Sequence, residues 1–196
     1  FKMKKLSILI FTLLSVNIIL KAQDIEKRVK DSIKYELCKI WATDQTMRHE
    51  LIEEAPKILH KIDSLNYESF LSIVRKYGFP SSKKLGAIEE CDCLQAGVVI
   101  LLHNPRKIVQ KEIFNLFLGE VKKGDLNPIL FANALDKYYI FYEGYSLYGA
   151  IPQVKKPQIK NFELVNSKRQ ELDLPPLGKE CFEENNIKGD AENLKE

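Results

Sequence analysis

The sequence predicts an α+β domain that is mainly α, with about six helices and a small C-terminal β-hairpin. Three observations carry that prediction. Apolar residues recur at steps of three and four from residue 25 onward, which marks amphipathic helices. Glycine and proline fall between the periodic stretches, at Gly78, Pro80, Pro105, Gly124, Pro128 and Gly144. After Gly144 the helical period gives way to alternation and to Tyr, Gly and Pro.

The segment 1–22 is set apart from the rest. Lys4 and Lys5 precede a nearly uncharged apolar run, 6–20, and Ala22 stands as a small residue before Gln23. This is the layout of a cleaved signal peptide, and a run of this length is short of the ~20 residues that span a bilayer. The expectation is a soluble protein of the periplasm or the exterior, touching the membrane only through this segment during export. Removing the segment takes away Lys2, Lys4, Lys5 and Lys21 and no acid. The 30 basic and 27 acidic residues then become 26 and 27, and the formal charge of +3 becomes −1. So small a charge gives no footprint for nucleic acid. At 45% hydrophobic residues the chain is not wholly disordered, and 196 residues suffice for one core without staples.

In chain order, 24–55 reads as one long helix, with Ile25, Val29, Ile33, Leu37, Ile40 and Trp41 on one stripe that Asp44, Arg48 and Leu51 continue. Pro56 begins a second helix, 56–65. Asn66 is placed to cap a third, which Gly78 ends and Pro80 keeps from restarting. A loop, 79–90, leads to a buried helix, 91–104. Pro105 starts a helix to Lys123, with Ile108, Ile113, Phe114, Phe117 and Leu118 inside. Asn127 and Pro128 form a cap and first-turn pair for a helix ending at Gly144. The stretches 145–154 and 158–164 read as a β-hairpin, 166–172 as a short helix, and Leu174-Pro175-Pro176-Leu177 as an ordered turn. The acidic residues 182–196 read as a disordered tail, so that 23–181 is a single globular domain.

Export permits disulfides. The cysteines are Cys38, Cys91, Cys93 and Cys181. Cys91 with Cys93 would close a very tight ring, so pairings that join this CxC to Cys38 and Cys181 are favoured. No histidine or second cysteine pair follows at zinc-site spacing, and structural disulfides or buried thiols are favoured over a metal. No motif implies a cofactor.

The sequence has no P-loop, GxGxxG, GxSxG or HExxH pattern. What it has is polar residues where apolar ones are expected. Asp44 and Arg48, with Gln45 between them, are four apart on the stripe, either as an intrahelical ion pair at the core rim or as part of a site. His103 ends the apolar run 98–102, either as a helix-terminal residue favoured by the dipole or as a general base in an apolar rim. Asp136 lies among apolar neighbours in mid-helix. Tyr148 precedes Gly149 in the expected hairpin, and Arg169 lies in the short helix after it.

In order along 41–177, Asp44-Gln45-x-x-Arg48, Asp63 with Asn66, Tyr77-Gly78-Phe79-Pro80, Leu85-Gly86, His103, Leu135-Asp136-Lys137, Tyr148-Gly149, Arg169 and Leu174-Pro-Pro-Leu177 resemble a bacterial exported family catalogued as domain-of-unknown-function family 6624. Phe79 stands where that family has Trp, Leu102 where it has Gln, Lys137 where it has Arg and Ala150 where it has Thr. The resemblance implies export, a helix-rich domain and a shared polar cluster.

The expected site is a pocket of Asp44, Gln45, Arg48, His103, Asp136, Tyr148 and Arg169. It would bind a small anionic or peptidic ligand through Gln45, Arg48, Tyr148 and Arg169. As a hydrolase it would use His103 as base, with Asp44 or Asp136 to orient it. As a structural element the same residues would be buried ion pairs that fix helix packing. A site requires His103, Arg48 and Asp136 to converge on an open cleft.

Overall fold

The computed structural model describes residues 2–51, 53, 55–86, 92–151 and 157–182, with the side chains of 2–20 and 49–51 left aside. The chain divides into two units, 1–36 and 37–196. Helix α1, Lys2–Leu51, supplies the whole described part of the first unit and the first helix of the second, with no break at residue 22. In the first unit Asp24–Arg28 and Glu26–Lys30 pair at 2.8 Å one turn apart, on the exposed surface of the helix. Ile25 is 62% exposed and carries none of the packing its place on the stripe predicts. Among the described residues no helix is long and apolar enough to cross a membrane.

The second unit is built from helices. From Leu37 the α1 stripe holds, with Leu37, Ile40 and Asp44 all buried. Helix α2, Pro56–Tyr77, is continuous, which corrects the expected division at Asn66. Asn66 is not a cap: it is buried in mid-helix on the face of Leu59, Asp63, Tyr67, Phe70 and Val74. Packing of that face outweighs the local preference of asparagine for helix ends.

Gly78 ends α2 at φ +79°, with its N–H bonded to the Val74 carbonyl. The next amide, of Phe79, donates to Glu120 Oε2 at 2.7 Å. Burial pushes the Glu120 carboxyl up, but Lys123, the Phe79 amide and Lys84 together hold it below its ordinary range. A Cβ at Gly78 would lie 2.9 Å from Glu120 Oε2 and 2.3 Å from Lys84 Nζ, on a backbone only glycine adopts freely. Gly78→Ala is expected to cost about 2 kcal/mol and lower the melting temperature by several degrees. An unchanged melting curve would count against this reading of the turn.

The expected loop 79–90 contains a short helix, α3 (Ser82–Leu85). The expected helix 91–104 is a 3-10 turn, Cys93–Gln95, followed by α4, Ala96–His103. Gly97 lets α4 pack closely, since a Cβ there would meet the rings of Phe79 and Phe70 at 2.8 and 2.9 Å. The expected helix 105–123 is two, α5 (Pro105–Ile108) and α6 (Lys111–Lys122), because Gln110 is extended between them. Helix α7, Pro128–Tyr138, starts as predicted: Asn127 Oδ1 accepts the Ile129 N–H at 3.0 Å. A π-helical turn, Tyr139–Glu143, extends it to Gly144, whose left-handed φ of +78° ends it. Phe70, Phe117 and Phe131 form the aromatic centre of the core, each 0% exposed.

Helix α8 is Phe162–Glu171, with Asn161 Oδ1 accepting from the Leu164 N–H as its cap. The turn 174–177 is ordered by Asn166, whose side-chain amide both accepts from and donates to Leu177.

Among the described residues the predicted hairpin is absent. The described residues contain eight α-helices and no strand, so the domain is mainly helical and not α+β. One isolated parallel bridge, Ser146 with Ile159, is all that joins the two stretches, and 152–156 lie outside the described residues. The physical reason is that the amides of Leu147, Tyr148 and Ala150, which a hairpin would share with a partner strand, are taken by Asp136.

Cys38 Sγ lies 2.8 Å from Cys93 Sγ, a contact longer than the ~2.05 Å of a disulfide. The two are juxtaposed without being bonded to each other. Cys181 is a free thiol packed beside Val165 and Phe182. Cys91 lies outside the described residues. The expected tail also lies outside them from residue 183, while Phe182 is 1% exposed and belongs to the core.

Candidate functional site

The seven predicted site residues separate into two clusters. The first joins the C-terminal parts of α1 and α4 with the middle of α2. Asp44 is there because it occupies a core position of α1, one turn beyond Ile40, and its side chain is 1% exposed. Arg48, one turn further, carries its guanidinium to a point among three groups. Its Nη2 lies 3.0 Å from Asp44 Oδ1, 2.5 Å from Asp63 Oδ1 and 2.6 Å from His103 Nδ1. His103 Nδ1 is also 2.9 Å from Asp44 Oδ1. Gln45, itself exposed, donates from Nε2 to the other Asp44 oxygen at 2.9 Å.

Burial pushes the Asp44 carboxyl up, but hydrogen bonds and positive charge from His103 and Arg48 outweigh it and hold the group below its ordinary range. Lys137, on α7, is a second cation within reach. Burial draws its ammonium down, Arg48 adds to that, and Asp63 opposes it.

Asn104 fixes the end of α4 against α2. Its side-chain amide donates to the carbonyls of Ile100 at 3.0 Å and Asp63 at 3.4 Å. That placement turns His103 toward a cleft of about 380 Å³, lined also by His60, Ser64, Arg106, Lys107 and Tyr142. Arg106 lies over the Tyr142 ring at 4.3 Å. Lys107 Nζ is held by Ser64 Oγ at 3.0 Å and Glu68 Oε1 at 2.9 Å. The His103 side chain is 16% exposed, and its Nε2 makes no hydrogen bond among the described residues. The cleft thus has a basic rim, and His103 separates it from the buried carboxylates.

The second cluster is a latch. Asp136 is 0% exposed and accepts four hydrogen bonds. Its Oδ1 takes the amides of Leu147 at 2.7 Å and Tyr148 at 2.8 Å; its Oδ2 takes Ser146 Oγ and the Ala150 amide, both at 2.7 Å. Burial pushes the carboxyl up, and the four donors pull against it. Arg169, 4% exposed, donates to the carbonyls of Tyr148 and Pro175, both at 2.7 Å. Tyr148 is itself buried, and desolvation drives its phenol well above the ordinary range.

Asp136, Tyr148 and Arg169 therefore tie the 146–150 loop to α7 and α8. His103, Arg48 and Asp136 do not converge; His103 and Arg48 do, and Asp63 takes the place expected of Asp136. Asp63 could have been found as an acid on the apolar stripe of α2, between Leu59 and Tyr67, and Lys137 as the neighbour of Asp136. Among the described residues, Asp44, Asp63 and His103 are the group whose side chains stand close enough together to hold a metal ion.

The chain matches no family model, no curated protein and no solved structure.

Proposed function

We propose that the chain is an exported bacterial protein, periplasmic or secreted, of the family its motifs resemble, and that it binds a small anionic ligand in the cleft at the end of α4. The observation that carries this reading is the position of His103. Its Nδ1 is engaged by the Asp44–Arg48 network, and the residue also lines a cleft rimmed by Arg106 and Lys107. A planar guanidinium suits a carboxylate or phosphate, and an ammonium beside it adds a second point of charge.

The 2.9 Å contact of Asp44 with His103 also favours a second reading, hydrolysis with His103 as a base that Asp44 orients. The structural reading fits Asp136 and Arg169, both buried, whose hydrogen bonds go to backbone groups and the Ser146 hydroxyl.

Thermal-shift titration with phosphate, citrate and an acetylated acidic dipeptide tests the binding reading. At a hundredfold excess over Kd one of them is expected to stabilise the protein by about 2.7 kcal/mol. Arg106→Ala with Lys107→Ala is expected to remove that shift. No shift with any of the three, or a shift that survives both substitutions, would contradict it. Hydrolysis predicts, beyond the binding shift, turnover that His103→Ala abolishes.

A further inference from the structure

We propose that Asp44, Asp63 and His103 form a site for a divalent transition-metal ion, and that Arg48 is the cation that holds the same point when no metal is bound. The three side chains offer one ligand atom each, and these atoms all lie within 4.8 Å of one another. They come from three separate helices, α1, α2 and α4, so their convergence is not a by-product of one helical repeat. A single nitrogen, Arg48 Nη2, already sits within 3.0 Å of all three. Metal–oxygen and metal–nitrogen bonds of about 2.0–2.2 Å ask each ligand to draw in by less than about an ångström.

Arg48 fills this point imperfectly. His103 Nδ1 faces the Arg48 nitrogen at 2.6 Å and the Asp44 oxygen at 2.9 Å. A ring nitrogen can accept from the first or donate to the second, but not both. The Arg48 Nε is buried with no hydrogen-bond partner. A metal ion takes a lone pair from each of the three ligands, so neither conflict arises. Arg48 has a way out, since its side chain is 24% exposed.

Charge and chemistry agree with the exchange. Two carboxylates and a neutral imidazole carry two negative charges, which one divalent ion offsets. Two oxygens and one imidazole nitrogen suit manganese, iron(II), cobalt or zinc, and the nitrogen disfavours magnesium and calcium. Gln45 already orients Asp44 through its second oxygen, as outer-shell donors do in metal sites. The proposal does not depend on the anion-binding reading, because its ligands are not the rim residues.

The test is titration of the full chain with Co²⁺, read by its visible d–d absorption, and with Zn²⁺, read by calorimetry. The wild type is expected to bind one ion per chain. Arg48→Ala is expected to bind at least about tenfold more tightly, as the resident cation is gone, and Asp63→Asn and His103→Gln to lose at least about tenfold while circular dichroism shows them folded. Arg106→Ala is expected to leave cobalt binding unchanged, so failure of the cleft reading and failure of this one are separable. Absence of stoichiometric binding in both the wild type and Arg48→Ala would overturn the proposal. So would binding that survives Asp63→Asn and His103→Gln. If Arg48→Ala does not fold, the wild type, Asp63→Asn and His103→Gln decide by the same criteria.

Discussion

Asp136→Ala is expected to destabilise the protein by about 3–5 kcal/mol, enough to leave a marginal domain largely unfolded near body temperature. The reason is what the substitution leaves behind. The amides of Leu147, Tyr148 and Ala150 and the Ser146 hydroxyl are buried donors that share this one carboxylate. Each buried donor left without an acceptor costs about 1–3 kcal/mol, offset where the loop relaxes and admits water. Asp136→Asn is expected to rescue little. Whichever way its amide is turned, the NH₂ group meets donors that need an acceptor. Chemical denaturation measures the loss, and limited proteolysis within the 146–150 loop should speed up in parallel. A loss below about 1 kcal/mol for both variants would contradict the latch.

Arg48→Ala carries the second large effect, about 2–4 kcal/mol without added metal. It leaves Asp44 and Asp63, with side chains 1% and 8% exposed, near each other without the cation they share. Asp44 then loses the guanidinium that helps hold its carboxyl low, and taking up a proton more readily limits the cost. The pH dependence separates this from a simple packing loss. The wild-type Asp44 has a depressed pKa, so its contribution is complete above the model-compound value of 3.8 and fades as pH falls through its lower folded value. The wild-type and Arg48→Ala stability curves should therefore converge in acid, below about pH 4. Curves that stay parallel would show that the guanidinium acts by packing alone.

The parts of the fold legible in the sequence were those decided within a few residues. Asn127 before Pro128, Gly78 after α2 and Gly144 after the π-helical turn each stop or start a helix by their own backbone chemistry, and each does so where expected. What was not legible depended on a distant partner. Asn66 has the side chain of a cap but is carried through mid-helix by the packing of Tyr67 and Phe70. The stretch after Gly144 alternates like a strand, yet its amides turn inward to Asp136, ten and more residues earlier in the chain.

The candidate site divides in the same way. Asp44 with Arg48 follows from spacing on one helix. Asp63 and His103 come from two other helices, and no local pattern states that their side chains meet. Asp136 was legible as a misplaced acid but not as an acceptor of backbone amides. Its environment, and not its type, separates it from the Asp44 cluster.

The most direct test of the central claim, that His103 mediates between the buried network and an anion-binding cleft, is NMR of the histidine ring during titration with inorganic phosphate or citrate. The prediction is that the His103 ring resonances shift saturably with added anion, and that Arg106→Ala with Lys107→Ala suppresses the shift while the fold is kept. His103 resonances that stay fixed while the anion binds elsewhere, or that shift equally in the doubly substituted protein, would contradict it.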